Sequence, residues 1–328
     1  MDATRVPVIV GPTAIGKTAV ALALAARLPI EIISADSRQV YRRLDIGTAK
    51  PSRRERRRVR HHGIDVVDPG TRYSAGRFAR DAECWIDQVR QRDRLPVVVG
   101  GTGLYIRALT EGLFLEPALD PERRRALEHW VGGLAGDELV RWAGRLDPGF
   151  QGGGRQRATR AIEIALLTGT SLSGWHRQAR GQGKIRPWYV RLTAPRPVVA
   201  QRIRIRADEM LRRGFIEEVA AVLSEGHPAE APGLNSVGIR EAVEYLHGRR
   251  SRAELPEAIA ASTRRYAKRQ ETWFRHQLPG EPLTVDATKP VEELAEIVAE
   301  AWEGSARRGQ REGVTEKGSA RRDRRDGA

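Results

Sequence analysis

The chain has 328 residues, 40% of them hydrophobic and 30% charged, with a formal net charge of +15. That length supplies a sizeable core and one domain with an insertion, the one cysteine, Cys84, excludes an internal disulfide or a multi-cysteine zinc site, and no apolar run is as long as a membrane span. Arginine in this excess points to a polyanionic partner, because each phosphate it neutralises releases condensed counterions.

The opening "MDATRVPVIV" passes directly into an apolar strand, so no secretory leader is expected and the expected compartment is the cytoplasm. The strand runs into "GPTAIGKT" and then the helical "AVALALAARL". A Gly-x-x-x-x-Gly-Lys-Thr loop between strand and helix wraps a phosphate with its backbone; here that loop is Gly11, Pro12, Thr13, Ala14, Ile15, Gly16, Lys17 and Thr18. Lys17 is expected at the terminal phosphate oxygens and the Thr18 hydroxyl on Mg2+.

The second strand, "IEIIS", ends in "ADSRQVY", which aims Asp36 at the phosphate loop. A carboxylate there either holds magnesium through water or accepts a proton from a substrate. The structural alternative is an Asx-turn or helix cap, for which Ser34, Asp36 and Ser37 are all suited. Next, "PSRRERRRVRHHGID" reads as a basic, solvated helix without a specific role, and His61 and His62 lack metal-ligand spacing. "IDVVD" and "LPVVVGG" read as further strands. Motor-type ATPases end such a strand with a magnesium-binding acid. This one ends in Gly100, Gly101 and Thr102, which weakens an ATPase reading, although "IDVVD" does supply Asp68. "GGTG" either forms a tight turn or lets another group approach closely.

Strands alternating with helices predict an α/β fold: a P-loop core whose parallel sheet is flanked by helices, with "GPTAIGKT", "ADSRQVY", "DPGTRYS" and "GGTGLYI" converging at the strand ends. From Phe114 the pattern is helical, and an inserted helical domain over 114–182 is expected between core segments 1–113 and 183–285. "PWYVRLTAP" returns to strand, and "PVVAQRIRIRADEMLRRGFIEEVAAVL" reads as one long amphipathic helix. "RRYAKRQETWFR" then sets Arg264, Arg265, Lys268, Arg269 and Arg275 among Tyr266, Trp273 and Phe274. Such a helix suits RNA, or else buries its rings and solvates its cations. A C-terminal helix over 286–303 and a disordered basic tail over 304–328 complete the chain, and the tail holds only a minor part of the positive excess.

Taken together, "GPTAIGKT", "SADSRQVYRRLDIGTAKP", "HHGIDVVDP", "YSAGRFARDA", "VVVGGTGLYIRAL", "RATRAIEIALLTG", "SVGIRE" and "YAKRQETWFR" resemble the tRNA dimethylallyltransferases, or tRNA isopentenyltransferases, of bacterial type, from about Val8 to about Gln277. The resemblance implies transfer of a dimethylallyl group from dimethylallyl pyrophosphate to N6 of the adenine 3′-adjacent to a tRNA anticodon. The phosphate loop would then hold pyrophosphate rather than ATP. It implies Asp36 as the base on the adenine amine, Thr102 near the target nucleotide, and Lys17 and Arg206 at the pyrophosphate. It places tRNA contacts at Asp36, Ser37, Arg38, Gln39, Thr102 and Arg124. Further contacts fall at Gln156, Arg157, Ala158, Thr159 and Arg160, at Ser236, Val237, Gly238, Ile239, Arg240 and Glu241, and at Lys268, Arg269 and Gln270. The expected partners are tRNA and the donor, with no membrane, and the protein is expected to be a monomer.

Two positions depart from the pattern. Gly153 and Gly154 stand where relatives carry Asn-Asp, and Ile239 stands where they carry tyrosine. Three competing readings are a prenyltransferase acting on AMP, which would need little RNA-binding surface, a P-loop kinase of a small metabolite, and a non-catalytic RNA-binding protein.

Overall fold

The computed structural model describes residues 5–112, 120–179 and 183–305. In chain order the elements are β1 (Arg5–Val10), α1 (Lys17–Leu24), β2 (Ile30–Ser34), α2 (Arg53–Arg58), β3 (His61–His62), α3 (Ala75–Arg90), β4 (Leu95–Gly100) and α4 (Gly103–Thr110). There follow α5 (Pro121–Gly133), α6 (Gly136–Leu146), α7 (Arg155–Thr168), α8 (Leu172–Ala179), β5 (Arg186–Thr193), α9 (Arg196–Arg212), α10 (Phe215–Ser224), α11 (Ile239–Leu246), α12 (Leu255–Gln277) and β6 (Leu283–Asp286). A last helix occupies residues 291–305.

The six strands form one parallel sheet in the order β3-β2-β4-β1-β5-β6. Parallel strands need crossovers, and these put helices on the sheet faces. Alternate residues Ile9, Ile30, Ile32, Val97, Val99, Val190 and Leu192 share one core with Val20 and Leu24 of α1, Ile203 of α9 and Leu294 and Val298 of the last helix. Strand alternation turns Val8, Ile33 and Val98 to the opposite face, and α3 packs on β2 and β4. The chain divides into two compact units, Met1–Ile106 with Ile185–Ala328, and Arg107–Lys184. The division falls inside α4 rather than after it. Unit two is helical, with its own core of Val131, Leu139, Ala143, Ala158, Ala161 and Ile162.

Four expectations change. "IDVVD" is not a strand: Gly63 and Asp65 take positive φ (78° and 57°), which breaks the extended run. The edge strand is His61–His62 instead, and Val67 makes only an isolated bridge to Tyr41. The long helix is two, α9 and α10, parted at Gly214 with φ 91°. The C-terminal helix begins at residue 291, after Pro290, rather than at 286; Asp286 ends β6 and residues 287–290 turn into the helix. Lastly, only residues 304 and 305 of the expected tail are described, and both are helical; residues 306–328 lie outside the described residues.

The edge of the sheet carries a buried charge cluster. Glu31, only 4% exposed, accepts from Arg92 Nε (2.9 Å) and Nη2 (2.7 Å) and from His62 Nε2 (2.8 Å). Burial alone would push its carboxyl up, but the hydrogen bonds from Arg92 and then His62 outweigh it, drawing the pKa from 4.5 to about 2. A depressed folded-state pKa contributes stability that is complete above the unfolded value and lost as pH falls through the folded one. Stability supplied by Glu31 should therefore fade between pH 4.5 and about 2. In urea unfolding at neutral pH, Glu31→Ala should cost about 2–4 kcal/mol, by leaving Arg92 and His62 without their acceptor. The variant should also lose the wild-type slope across that acid window.

Candidate active site

The phosphate loop turns from β1 into α1 through Gly16, whose φ of 105° at the helix N-cap is open to glycine alone. Lys17 folds back over the loop and donates to the carbonyl oxygens of Gly11 (2.9 Å) and Pro12 (2.8 Å). Removal from water draws its ammonium down from 10.5 to about 8; Asp36 opposes the shift and Arg206 adds to it. Arg206, on α9, is likewise lowered by burial, with Asp36 and then Glu209 favouring its charge. One turn earlier on α9, Arg202 donates to the carbonyls of Ile15 (3.1 Å) and Ala287 (2.8 Å), bracing the loop. The Arg-x-x-x-Arg spacing on one helix face was the signal for Arg202 that the sequence reading missed.

Asp36 follows β2. Its Oδ1 accepts from the backbone N–H of Arg38 (2.8 Å), so it closes an Asx-turn and still faces the loop. Thr102 Oγ1 accepts from Ser37 N (3.0 Å) and donates to Ser37 Oγ (3.3 Å). This joins the "ADSRQVY" and "GGTGLY" loops directly. Tyr266 of α12 reaches the same place: burial, then the Asp36 charge, raises its phenol to about 12, while a hydrogen bond with Thr102 opposes the rise. The sequence alone gives Tyr266 as a core or stacking ring. Its spacing of four from Gln270 marks the shared helix face.

Lys17, Thr18, Asp36, Gln39 and Gly100 line one cavity, whose apolar wall is Ala21, Ile32, Pro51 and Val99, with His61 beside them. Three of the four expected loops thus meet. The "DPGTRYS" loop adds no lining residue among the described ones. Asp68 is half-exposed and pairs with Arg43 (3.1 Å) and Arg42 (3.6 Å), so it is not a metal acid at this loop.

The close approach that "GGTG" allows is made by α12. A Cβ on Gly101 would lie 2.4 Å from Gln270 Nε2, and one on Gly103 would lie 2.4 Å from the Trp273 ring. Gln270, 7% exposed, donates to Gly101 O (2.8 Å) and accepts from Thr13 N (2.8 Å). It therefore clamps the phosphate loop to the "GGTG" loop, and in this structure the Thr13 N–H is already engaged.

Several expected RNA contacts are corrected by burial. The side chains of Gln39, Ala158, Ser236, Ile239, Glu241 and Gln270 are all buried. Gln39 is held by Ser34 Oγ (2.9 Å) and Ala49 O (3.3 Å), and Glu241 accepts from Gly238 N (2.8 Å). Ile239 is fully buried, so the departure from tyrosine falls on a core position here. Arg38 donates to Pro232 O (3.1 Å). The groups left on the surface of unit one are Arg240, Lys268 and Arg269, the last with its guanidinium 5.7 Å from the Tyr266 ring centroid.

In unit two, Gln156 and Arg157 are exposed, and α7 starts at Gly154 with no side-chain cap, the direct effect of the Gly153-Gly154 departure. Buried Glu163 pairs with Arg124 (2.7 Å) and Arg160 (2.9 Å), one cation from each of two helices. Sequence reading singled out both arginines and missed the acid that aligns them.

The chain matches the IPP transferase family over residues 39–277 and the isopentenyl transferase family over residues 4–66. A tRNA dimethylallyltransferase of Geobacter metallireducens is 42% identical over 279 residues, covering 84% of this chain and 90% of that relative. The solved tRNA isopentenylpyrophosphate transferase of Bacillus halodurans aligns with a TM-score of 0.68 at 32% identity, over 94% of this chain and 99% of the other. A eukaryotic dimethylallyltransferase acting on tRNA aligns with a TM-score of 0.70 at 26% identity, over 87% and 74%. The relatives place this chain among the prenyltransferases. The chain belongs to the IPP transferase family.

Gln270 gives the site a direct stability test. Gln270→Leu keeps the volume and strands the Thr13 N–H and the Gly101 carbonyl, which should cost about 1–3 kcal/mol in chemical unfolding. Exposed Lys268→Ala, on the same helix, should stay within about 0.5 kcal/mol of wild type.

Proposed function

We propose that the protein transfers a dimethylallyl group from dimethylallyl pyrophosphate to N6 of the adenine 3′-adjacent to the anticodon of a tRNA, as a cytoplasmic monomer. One observation carries this reading: Lys17 and Thr18, suited to an anionic leaving group, share a cavity with Asp36, a carboxylate suited to an amine. Its apolar wall of Ala21, Ile32, Pro51 and Val99 suits a hydrocarbon tail.

The chemistry follows from the charges. The allylic C–O bond breaks and its electron pair leaves on pyrophosphate, while the adenine N6 lone pair forms the new bond to carbon. Lys17, Arg206 and the loop N–H groups offset the negative charge that grows on the leaving group. Asp36 accepts the N6 proton as the bond forms, and its Asx-turn holds the carboxylate oriented for that transfer. Thr102, anchored on Ser37, and Tyr266 stand beside Asp36 and orient the flipped base.

Magnesium fits with limits. Among the described residues no group of three or more His, Cys, Asp or Glu forms a cage. The Thr18 hydroxyl on the cavity wall is one oxygen ligand, and magnesium characteristically takes the rest from substrate phosphates and water. Bound there, it would add Lewis-acid stabilisation of the leaving pyrophosphate. Arg124, Arg157 and Arg160 on unit two, and Arg240, Lys268 and Arg269 on unit one, are offered to tRNA phosphates.

Radiolabelled dimethylallyl pyrophosphate supplied with unmodified tRNA, and in parallel with AMP, tests the reading. Label mapped to the adenine beside the anticodon is expected. Label on AMP alone, or ATP hydrolysis without transfer, would overturn it. Asp36→Asn preserves the turn acceptor and removes the base. Single-turnover transfer by this variant should fall about 10²–10⁴-fold, with tRNA affinity changed less than about threefold; normal transfer would remove Asp36 from its role.

A further inference from the structure

The cations flanking the cavity are not all accounted for by the site. Between Pro51 and His61, which both line it, stands α2, with the sequence "SRRERRRVR" over residues 52–60. A capping box fixes its start: Ser52 Oγ accepts from Glu55 N (3.2 Å), and the Glu55 carboxylate accepts from Ser52 N (2.7 Å) and Ser52 Oγ (2.6 Å). The one acid of the segment is thereby spent on the cap. Two neighbouring cations turn inward: Arg56 pairs with Asp65 (2.6 Å), and Lys50, almost wholly buried, pairs with Asp45 (2.7 Å) and Asp65 (2.6 Å).

Five remain outside. Arg53, Arg54, Arg57, Arg58 and Arg60 are exposed, and none makes a side-chain hydrogen bond or ion pair among the described residues. Arg53 with Arg57, and Arg54 with Arg58, stand four apart on one helix face, a like-charge spacing that repels. Some surface arginines elsewhere pair with acids one or two turns away, as Arg264 does with Glu257 and Arg275 with Glu271. A strip left self-repelling, immobilised by its cap and set beside the cavity mouth, is complementary to a polyanion.

We propose that α2 is an additional phosphate-binding strip that grips the backbone of the acceptor tRNA next to the cavity. This rests on the proposed function for the identity of the RNA. The strip carries no base-reading groups, so it adds affinity and speeds delivery of the RNA without adding sequence preference.

The test compares wild type with the quadruple variant Arg53→Gln, Arg54→Gln, Arg57→Gln, Arg58→Gln, by equilibrium binding of tRNA between about 50 and 200 mM salt. The variant should bind at least about tenfold more weakly at low salt, and its slope of log affinity against log salt should be shallower by about two to four. Its affinity for inorganic pyrophosphate and its maximal rate at saturating tRNA should match wild type. Affinity within about twofold and an unchanged slope would overturn the strip. Should the quadruple variant lose pyrophosphate binding, the paired variants Arg53→Gln/Arg57→Gln and Arg54→Gln/Arg58→Gln carry the same test, each expected to show about half the slope change. If wild type itself bound tRNA without salt dependence, the tRNA reading would fail. A wild type that binds with steep salt dependence and a variant that matches it would sink only the strip.

Discussion

Lys17 and Arg206 are both held partly out of water beside one carboxylate, Asp36, and burial pulls both cations below their ordinary pKa. Glu209 also favours the Arg206 charge, whereas Lys17 has Asp36 in its favour and Arg206 against it. For now Lys17 borrows the carbonyl oxygens of Gly11 and Pro12. Pyrophosphate would supply negative charge there, and would do so most strongly as a leaving group, when the bond to carbon breaks and its charge grows. Electrostatic preorganisation of this kind acts without rearrangement at the moment of reaction.

The rest of unit one keeps that arrangement in place. Arg202 braces the loop from α9 while Arg206, one turn on, lies within the field of Asp36, so one helix sets both the scaffold and the charge. Gln270 ties the phosphate loop to Gly101, and Tyr266, one turn earlier on α12, is buried within the field of Asp36. The exposed side of α12 carries Lys268 and Arg269. A single helix therefore has its inner face against the phosphate loop and the "GGTG" loop and its outer face, with Lys268 and Arg269, exposed. The two glycines of "GGTG" that contact it are small because α12 is close.

Legibility followed locality. The loop from Gly11 to Thr18, the parallel sheet and the helices from Pro121 onward were readable because strand–loop–helix spacing and a change of period lie within short windows of sequence. Asp36 was readable as a candidate from its place after a buried strand, but its Asx-turn and its role as base were offered as alternatives, and the structure has the turn without excluding the base. What escaped were long-range pairings: Gln270 with Thr13, Arg202 with Ile15, and Glu163 with Arg124, each between residues far apart in the chain. "IDVVD" failed as a strand for a local reason, since the left-handed backbone at Gly63 and Asp65 overrides its β-branched composition, with Lys50 and Arg56 anchoring the Asp65 carboxylate. Residues inferred as RNA contacts from family segments turned out to be a mixture, because only every third or fourth position on a helix faces inward: Ala158 is core, while Arg157 beside it is exposed.

The most direct measurement is pyrophosphate affinity against pH, taken as the ratio of wild type to Lys17→Met so that the ligand's own ionisation cancels. If the lowered Lys17 ammonium is the charge that holds the anion, the lysine advantage stays level through neutrality and declines as pH rises past about 8, by up to about tenfold per unit. A ratio that stays flat from neutrality to well above that value would contradict it, and the charge that holds the anion would then have to reside on Arg206 alone.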